Sequence, residues 1–340
     1  MEVASVTNRQ FAMDIVDQSH AGEARRAAAE LAEFAGLNDT DRGKIAIAVT
    51  EMATNIVKHA KHGKMLFETL GHNGASGLRV LSLDKGPGIG NVSMALEDGY
   101  SSYGSSGNGL GAVRRLSTVF DLYSAPNLGT CILAEFWPEM KNKNSGSSFS
   151  LGVVSVAMRG ETMCGDGWGM RASTDHSFFM VVDGLGHGMF ASDAAREAER
   201  VLRNSNSNSA ADILGDCHGA LRKTRGAAGA IAQISQDKGL LTYAGIGNIA
   251  ATLIDGEKRR GIASHNGTLG HQLHKIQEFT LPWNKDSVLI MHSDGLSAKW
   301  DFSQYPGLLS KRPSVIAAVL YRDFQRERDD ATVMVARNQQ

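Results

Sequence analysis

EMATNIVKHA, residues 51–60, sets a carboxylate, a carboxamide and an imidazole at Glu51, Asn55 and His59. It closes DRGKIAIAVTEMATNIVKHA (41–60), which reads as a helix with Asp41 as its N-cap. Residues four apart on a helix share a face, so the three polar side chains form one row beside the apolar run IAIAV (45–49). Such a row is often only a solvated face, and its surroundings decide whether it carries chemistry. Downstream, DKGPGIG (84–90) follows an apolar strand and puts Asp84 ahead of glycines that let a ligand approach the backbone. SSYGSSGNGLGAVRRLS (101–117) is a glycine loop running into a helix, which offers backbone N–H groups to phosphates. Neither glycine cluster has the P-loop order or the Rossmann pattern.

In this order the pieces resemble the GHKL ATP-binding fold. Glu51 and Asn55 match its N-box, and Asp84, Gly86 and Gly88 its DxGxG box. Gly107, Gly109, Leu110 and Gly111 match its GxGLG box, and Gly129 with Thr130 a following GT pair. The resemblance implies a Bergerat α/β sandwich that binds ATP with Mg²⁺. Asn55 would supply a neutral oxygen to Mg²⁺. Asp84, supported by Thr130, would accept the adenine amino group, and the second glycine loop would close over the phosphates. Glu51 would act as the general base near the γ-phosphate. His59 is read as a structural helix residue. The wording EDGYSSYGSSGNGLGAVRRLSTVFDLYS (97–124) is similar to the small serine/threonine kinases of the anti-sigma-factor and stressosome switch group. These act on STAS-domain proteins, so such proteins, and a downstream regulator, are the expected partners.

The 340 residues are enough for two ordinary domains, and 42% hydrophobic with 21% charged content is that of a soluble globular protein. A net charge of -1 gives no reason to expect nucleic acid or an anionic membrane as partner. Cys131, Cys164 and Cys217 are widely spaced, which speaks against a disulfide framework or a structural zinc site and suits a reducing cytosol. MEVASVTNRQ (1–10) has no apolar signal core and no run approaches a membrane span, so a cytoplasmic protein is expected.

Around the nucleotide motifs, AGEARRAAAELAEFAGL (21–37) and GAVRRLST (111–118) read as helices. KMLFETLGHNGASGLRVLSLDKG (64–86) and VFDLYSAPNLGTCILAEFW (119–137) read as strand pairs, the second bending at Pro126 and Gly129. KNKNSGSSFS (141–150) cannot form much core and reads as linker. The expected division is therefore a nucleotide domain at 1–138, a linker at 139–150 and a second domain at 151–340. In the latter, LGVVSVAMRG, SFFMVVDGL, AGAIAQIS, GLLTYAGIGNIAATLI and DSVLIMHSDGL are strands. Helices are expected near 190–203 and 210–224, with the low-complexity RNSNSNS (203–209) a surface loop between them.

This second half scatters aspartates at strand ends: Asp166, Asp183, Asp294 and the pair Asp329 and Asp330. A lone Asp-Gly is a favoured turn, but four acidic sites flanking apolar strands suit Mg²⁺ or Mn²⁺ better than zinc. GD (165–166), DGLGHG (183–188), SDG (293–295) and DDAT (329–332) resemble, in order, the motifs of the metal-dependent PPM protein phosphatases, in their SpoIIE-type branch. AGIGNIAATL (244–253) and SHNGTLG (264–270) fit that family's middle strands and loop. The resemblance implies an α-β-β-α sandwich holding two Mg²⁺ or Mn²⁺. Asp183 would bridge them, assisted by the Gly184 carbonyl, with Asp166, Asp294 and Asp329 completing the shells. A water activated between the cations would attack phosphoserine in line. His187 is read as shaping the loop. The whole chain is thus expected to be a two-domain α/β enzyme, kinase and phosphatase in one. The alternative is a phosphatase whose nucleotide domain senses ATP or docks a partner without transferring phosphate.

Overall fold

A computed structural model describes residues 10–72, 75–97, 109–138, 148–173, 175–273 and 275–339. The chain forms two compact units. The described residues between 10 and 138 group with 301–322, and those between 148 and 300 group with 323–339.

In the first unit, β1 (Gln10–Ile15), β2 (Gly63–His72), β3 (Ala75–Asp84), β4 (Val119–Ser124) and β5 (Thr130–Phe136) form one antiparallel sheet in the order β1-β2-β3-β5-β4. The helices are α1 (Gln18–Phe34), α2 (Asp39–Asn55), the single turn α3 (Val92–Ala95) and α4 (Gly109–Leu116). α1 buries Ala21, Ala24, Ala28 and Ala32, a stripe at helical spacing whose small side chains let it lie close to its neighbours. With Ile45, Val49, Met52 and Ile56 it joins Phe67, Val80, Leu122 and Ile132 of the sheet in one core. The alternate sheet residues Leu66, Leu81, Leu83, Tyr123 and Leu133 are buried as well.

Two boundaries differ from the reading of 41–60 as one helix capped by Asp41. The N-cap is Asn38, whose side chain accepts from the Asp41 N–H at 2.9 Å, so Asp41 lies inside the first turn. At the other end α2 stops at Asn55, and Ile56–Ala60 continue as a π-helical turn. That widened turn breaks the four-residue spacing beyond Asn55, leaving Glu51 and Asn55 half-buried and His59 exposed. α1 likewise starts at Gln18 under the cap of Asp17, three residues earlier than its alanine pattern begins.

The second unit holds two five-stranded sheets. One contains β7 (Asp166–Ala172), β8 (Ser177–Gly184), β9 (Ala227–Ser235), β10 (Leu240–Ile246) and β13 (Glu278–Pro282), ordered β13-β10-β9-β8-β7. The other contains β6 (Phe149–Val156), β11 (Ala250–Asp255), β12 (Lys258–Ile262), β14 (Val288–His292) and β15 (Ala331–Asn338), ordered β12-β11-β14-β15-β6. A core with Phe179, Val181 and Tyr243 from the first sheet and Val153, Leu253, Met291 and Met334 from the second lies between them. α5 (Met189–Asn204) and α6 (Ala210–Ala220) cover the other face of the first sheet over Met180, Val182 and Ile231. The strand-rich stretch GLLTYAGIGNIAATLI (239–254) holds two strands, β10 and β11, in different sheets. Gly247 turns between them at φ +90°, where a side chain would be strained and would meet Ala228.

α7 (Pro313–Phe324) was not singled out by the sequence, because VIAAVLY is apolar on every side and has no helical stripe. Its residues Pro313–Arg322 are all buried. The segment 301–322 is tied within its unit by Arg312 N–H donating to Asp121 Oδ2 at 2.7 Å and by a Lys311–Asp121 ion pair at 3.5 Å. Among the described residues no helix is long and apolar enough to cross a membrane.

One half-buried acid outside both sites gives a pH test. Glu199 of α5 accepts from the Trp168 N–H at 3.1 Å, and burial pushes its carboxyl up to about 7. A carboxyl raised in the folded state adds stability below its ordinary value and loses it as pH rises toward 7. The stability of wild type relative to Glu199→Gln is therefore expected to fall between pH 4.5 and 7. A constant difference in urea unfolding across that range would refute it.

Candidate functional site

Two groups of residues stand out, one in each unit. In the first, the β3–β5 register sets Asp84 directly opposite Thr130, which joins the DxGxG and GT motifs across a strand pair. Asp84 Oδ1 accepts from the Gly86 N–H at 2.8 Å and the Thr130 N–H at 3.2 Å. Both bonds fall on one oxygen, Oδ1. Burial raises the Asp84 carboxyl above its ordinary value, against the lowering effect of the Gly86 bond and the nearby Arg322 charge. Gly88 sits at φ +73°, and a Cβ there would lie 2.0 Å from the Ala125 carbonyl oxygen, so only glycine fits. Glu51 is one turn before Asn55 at the end of α2. A Cβ on Gly109 would come within 2.6 Å of Glu51 Oε2, so the first turn of α4, with Gly109, Leu110 and Gly111, lies against that carboxylate. Gly107 falls outside the described residues.

Two residues of this site escaped the motif reading. Ser124 Oγ accepts from the Ile89 N–H at 2.8 Å and also bonds the Gly129 carbonyl at 2.9 Å and Thr130 Oγ1 at 3.0 Å, knitting the two motifs together. Arg322, at the end of 301–322, donates from Nη1 to the Asp84 carbonyl at 2.9 Å. Nothing local marks a contact across 238 positions. A hydrogen bond from a charged group is worth roughly 1.5–3 kcal/mol. Arg322→Ala is therefore expected to weaken binding of a fluorescent ATP analogue about tenfold, and unchanged affinity would refute the support role.

In the second unit the β7–β8 register sets Asp166 directly opposite Asp183. Asp294 follows β14 and Asp329 precedes β15, two neighbouring strands, so their turns lie at the same end of the second sheet. Ser293 Oγ links the two sheets by donating to Asp166 Oδ2 at 2.6 Å, while accepting from the Thr332 N–H at 3.0 Å. Asn248 donates to Asp294 Oδ2 at 2.6 Å, and the Gly184 N–H bonds the Gly165 carbonyl at 3.1 Å. The two acids of DDAT have different surroundings. Asp330 is committed to the backbone, accepting from the Met158 N–H at 2.8 Å and the Gly165 N–H at 3.0 Å. Asp329 instead lies beside Asp294, whose charge, after burial, raises its carboxyl.

The electrostatics describe a negative cluster. Burial, then the charges of Asp166, Asp294, Asp329 and Asp330, pushes the Asp183 carboxyl up to about 9. Burial pushes Asp166 up to about 7 against the lowering effect of its Ser293 bond. Clustered acids that resist ionisation, offering only hard oxygen donors, fit divalent cations of the Mg²⁺ or Mn²⁺ kind. Among the described residues, no three acidic, His or Cys side chains converge on one cation position. His187 lies to one side, exposed, with Nδ1 2.6 Å from Glu161 Oε1. Ser293 and Thr332 belong to the motifs SDG and DDAT, whereas Asn248 carries no signal of its own in the sequence.

A family model described as histidine kinase-like ATPase domain matches residues 16–136, and one described as stage II sporulation protein E (SpoIIE) matches residues 173–339. Over 130 residues, 38% of this chain and 98% of the relative, the chain is 34% identical to the serine/threonine-protein kinase RsbT of Bacillus subtilis (strain 168). Over 147 residues, 43% of this chain and 73% of the relative, it is 29% identical to the phosphoserine phosphatase RsbX of the same organism. A solved structure described as the bacterial stressosome, a modular system adapted to control secondary messenger signaling, matches at TM-score 0.53 and 26% identity, over 56% of this chain and 100% of that one. RsbX in complex with magnesium matches at TM-score 0.50 and 23% identity, over 59% of this chain and 98% of that one, a likeness of fold.

Proposed function

We infer what the chain does from its kinship: it belongs, through its N-terminal part, to the family of the RsbT serine/threonine kinases, and it joins to that part a SpoIIE-type phosphatase domain. The proposed function is a bifunctional signalling enzyme of a stressosome-type partner-switching pathway. One unit transfers phosphate from ATP to a serine or threonine of a STAS-domain protein, and the other removes phosphate from phosphoserine or phosphothreonine. The observation that carries this reading is that one chain holds Glu51 against the start of α4 and, separately, sets Asp166 opposite Asp183.

In the kinase unit, Asp84 receives the adenine amino group and Thr130 holds Asp84 in place. Asn55 offers its amide oxygen to the Mg²⁺ of Mg-ATP, and Gly109 and Gly111 leave the backbone open to the phosphates. Glu51 orients and deprotonates the attacking hydroxyl. In the phosphatase unit, Asp183, the Gly184 carbonyl, Asp166, Asp294 and Asp329 would hold two Mg²⁺ or Mn²⁺. When bound, these supply the Lewis acidity that activates water and neutralises the phosphate. Ser293 and Thr332 orient Asp166, Asn248 orients Asp294, and Asp330 fixes the strand ends. If both activities ran unchecked on one phosphosite the result would be net ATP hydrolysis, so they serve different sites or are controlled reciprocally.

A second reading, a nucleotide sensor without transfer, is favoured by Arg322. A residue encoded between Asp294 and Asp329 holds the carbonyl of Asp84.

Metal removal tests the hydrolytic half. EDTA is expected to abolish phosphate release from a phosphoserine protein, and Mn²⁺ or Mg²⁺ to restore it while raising the melting temperature. Release that persists in EDTA would refute two-metal hydrolysis.

A further inference from the structure

The turn Asp183–Gly188 and the start of α5 carry Leu185, Met189 and Phe190, which are 43%, 57% and 56% exposed. Large apolar side chains left in water side by side mark a surface that is covered by something else. The neighbouring segment between α6 and β9 carries Arg222, Lys223 and Arg225 and no acidic residue. Among the described residues, none of these three cations is paired with a carboxylate.

Arg225 is held in a defined pose. Its carbonyl accepts from His271 Nε2 at 2.8 Å. The next residue is fixed by Leu185 N–H donating to the Gly226 carbonyl at 3.0 Å and by Gly226 N–H donating to Thr224 Oγ1 at 3.0 Å. The Arg225 guanidinium lies over the Phe190 ring, 4.9 Å from its centre. Its Nη1 would be 2.8 Å from a Cβ at Gly186, so it touches the turn that begins at Asp183. A guanidinium stacked on a ring keeps its N–H edge free, and that fork matches a phosphate.

We propose that Arg225 clamps the phosphate of the substrate, and that Leu185, Met189 and Phe190 form an apolar rim that seats the phosphoserine- or phosphothreonine-bearing segment of a partner protein. This rests on the phosphatase reading and adds to it a substrate-recognition surface. The arrangement separates two tasks. Arg225 recognises the phosphate whatever carries it, and the rim selects apolar residues beside the phosphorylated one.

The test uses the full chain with Mn²⁺ and three substrates: p-nitrophenyl phosphate, a phosphoserine peptide with flanking leucines, and the same peptide with flanking serines. Wild type is expected to favour the leucine peptide about tenfold in kcat/KM, and Met189→Ser with Phe190→Ser to bring that ratio to about one. Arg225→Ala is expected to raise KM about tenfold for all three substrates with a smaller effect on kcat, and Arg225→Lys to recover part of the loss. An unchanged KM in Arg225→Ala overturns the clamp, and a peptide ratio near one in wild type overturns the rim. A wild type inactive on all three overturns the phosphatase reading and the proposal with it.

Discussion

Asp183→Asn is expected to lose phosphatase activity by roughly a thousandfold or more, since two-metal activation contributes several kcal/mol and each 1.36 kcal/mol is a factor of ten. The replacement keeps the shape of the side chain and removes its charge from the centre of the cluster, opposite Asp166. The same change should stabilise the metal-free protein. The Asp183 carboxyl is pushed up to about 9 by burial and by Asp166, Asp294, Asp329 and Asp330. In the absence of metal it therefore costs stability progressively as pH rises from about 4 through 9, and asparagine removes that cost. Loss of activity with a gain in metal-free stability would identify a cluster kept for function. A variant that loses activity and also unfolds at lower temperature without metal would contradict this account of the site. Phosphate release and thermal unfolding at pH 8, with and without Mn²⁺, measure both.

Glu51→Ala is expected to lower phosphate transfer by roughly a hundred- to ten-thousandfold, the range for a positioned general base. Nucleotide binding should survive within a few fold, because Asp84 and its partners Gly86, Thr130 and Ser124 form a separate cluster at the ends of β3, β4 and β5. Asn55→Ala should show the opposite pattern, with the larger loss in Mg-ATP affinity. The discriminating quantity is the ratio of the effect on transfer to the effect on binding. Equal losses in both would mean that Glu51 acts on the fold of the α2–α4 contact rather than on the hydroxyl.

Much of this was legible in the letters because the chemistry is carried by short motifs whose residues are neighbours in the chain. Asp84, Gly86 and Gly88 sit on one turn, and the Gly88 conformation could be expected from its place in the box. The strand pairs around 64–86 and 119–137 were readable from period-two patterning, whereas Phe149 and Ser150, expected at the end of the linker, open β6 because they pair with Asn338 and Arg337 of β15. What failed to show depends on distance. The direct opposition of Asp166 and Asp183 is a matter of strand register, which motif spacing does not encode. Asn248 and Arg322 look ordinary until the fold brings them to Asp294 and Asp84. α7 was missed because a helix buried all round has no amphipathic period, and its grouping with 10–138 has no signature in composition. The π-helical turn at Ile56–Ala60 removed His59 from a row that ideal helical spacing had drawn.

The central claim is that one chain both adds and removes phosphate, and one experiment addresses it directly. Wild type, Asp183→Asn and Glu51→Ala are each incubated with γ-labelled ATP, Mg²⁺, Mn²⁺ and a STAS-domain protein, and label on that protein is followed over time. The account predicts that label accumulates and persists with Asp183→Asn, never appears with Glu51→Ala, and is stripped when wild type is added to the labelled product. Absence of label with Asp183→Asn, while wild type still removes phosphate from a pre-phosphorylated protein, would contradict it and leave the N-terminal unit as a nucleotide sensor.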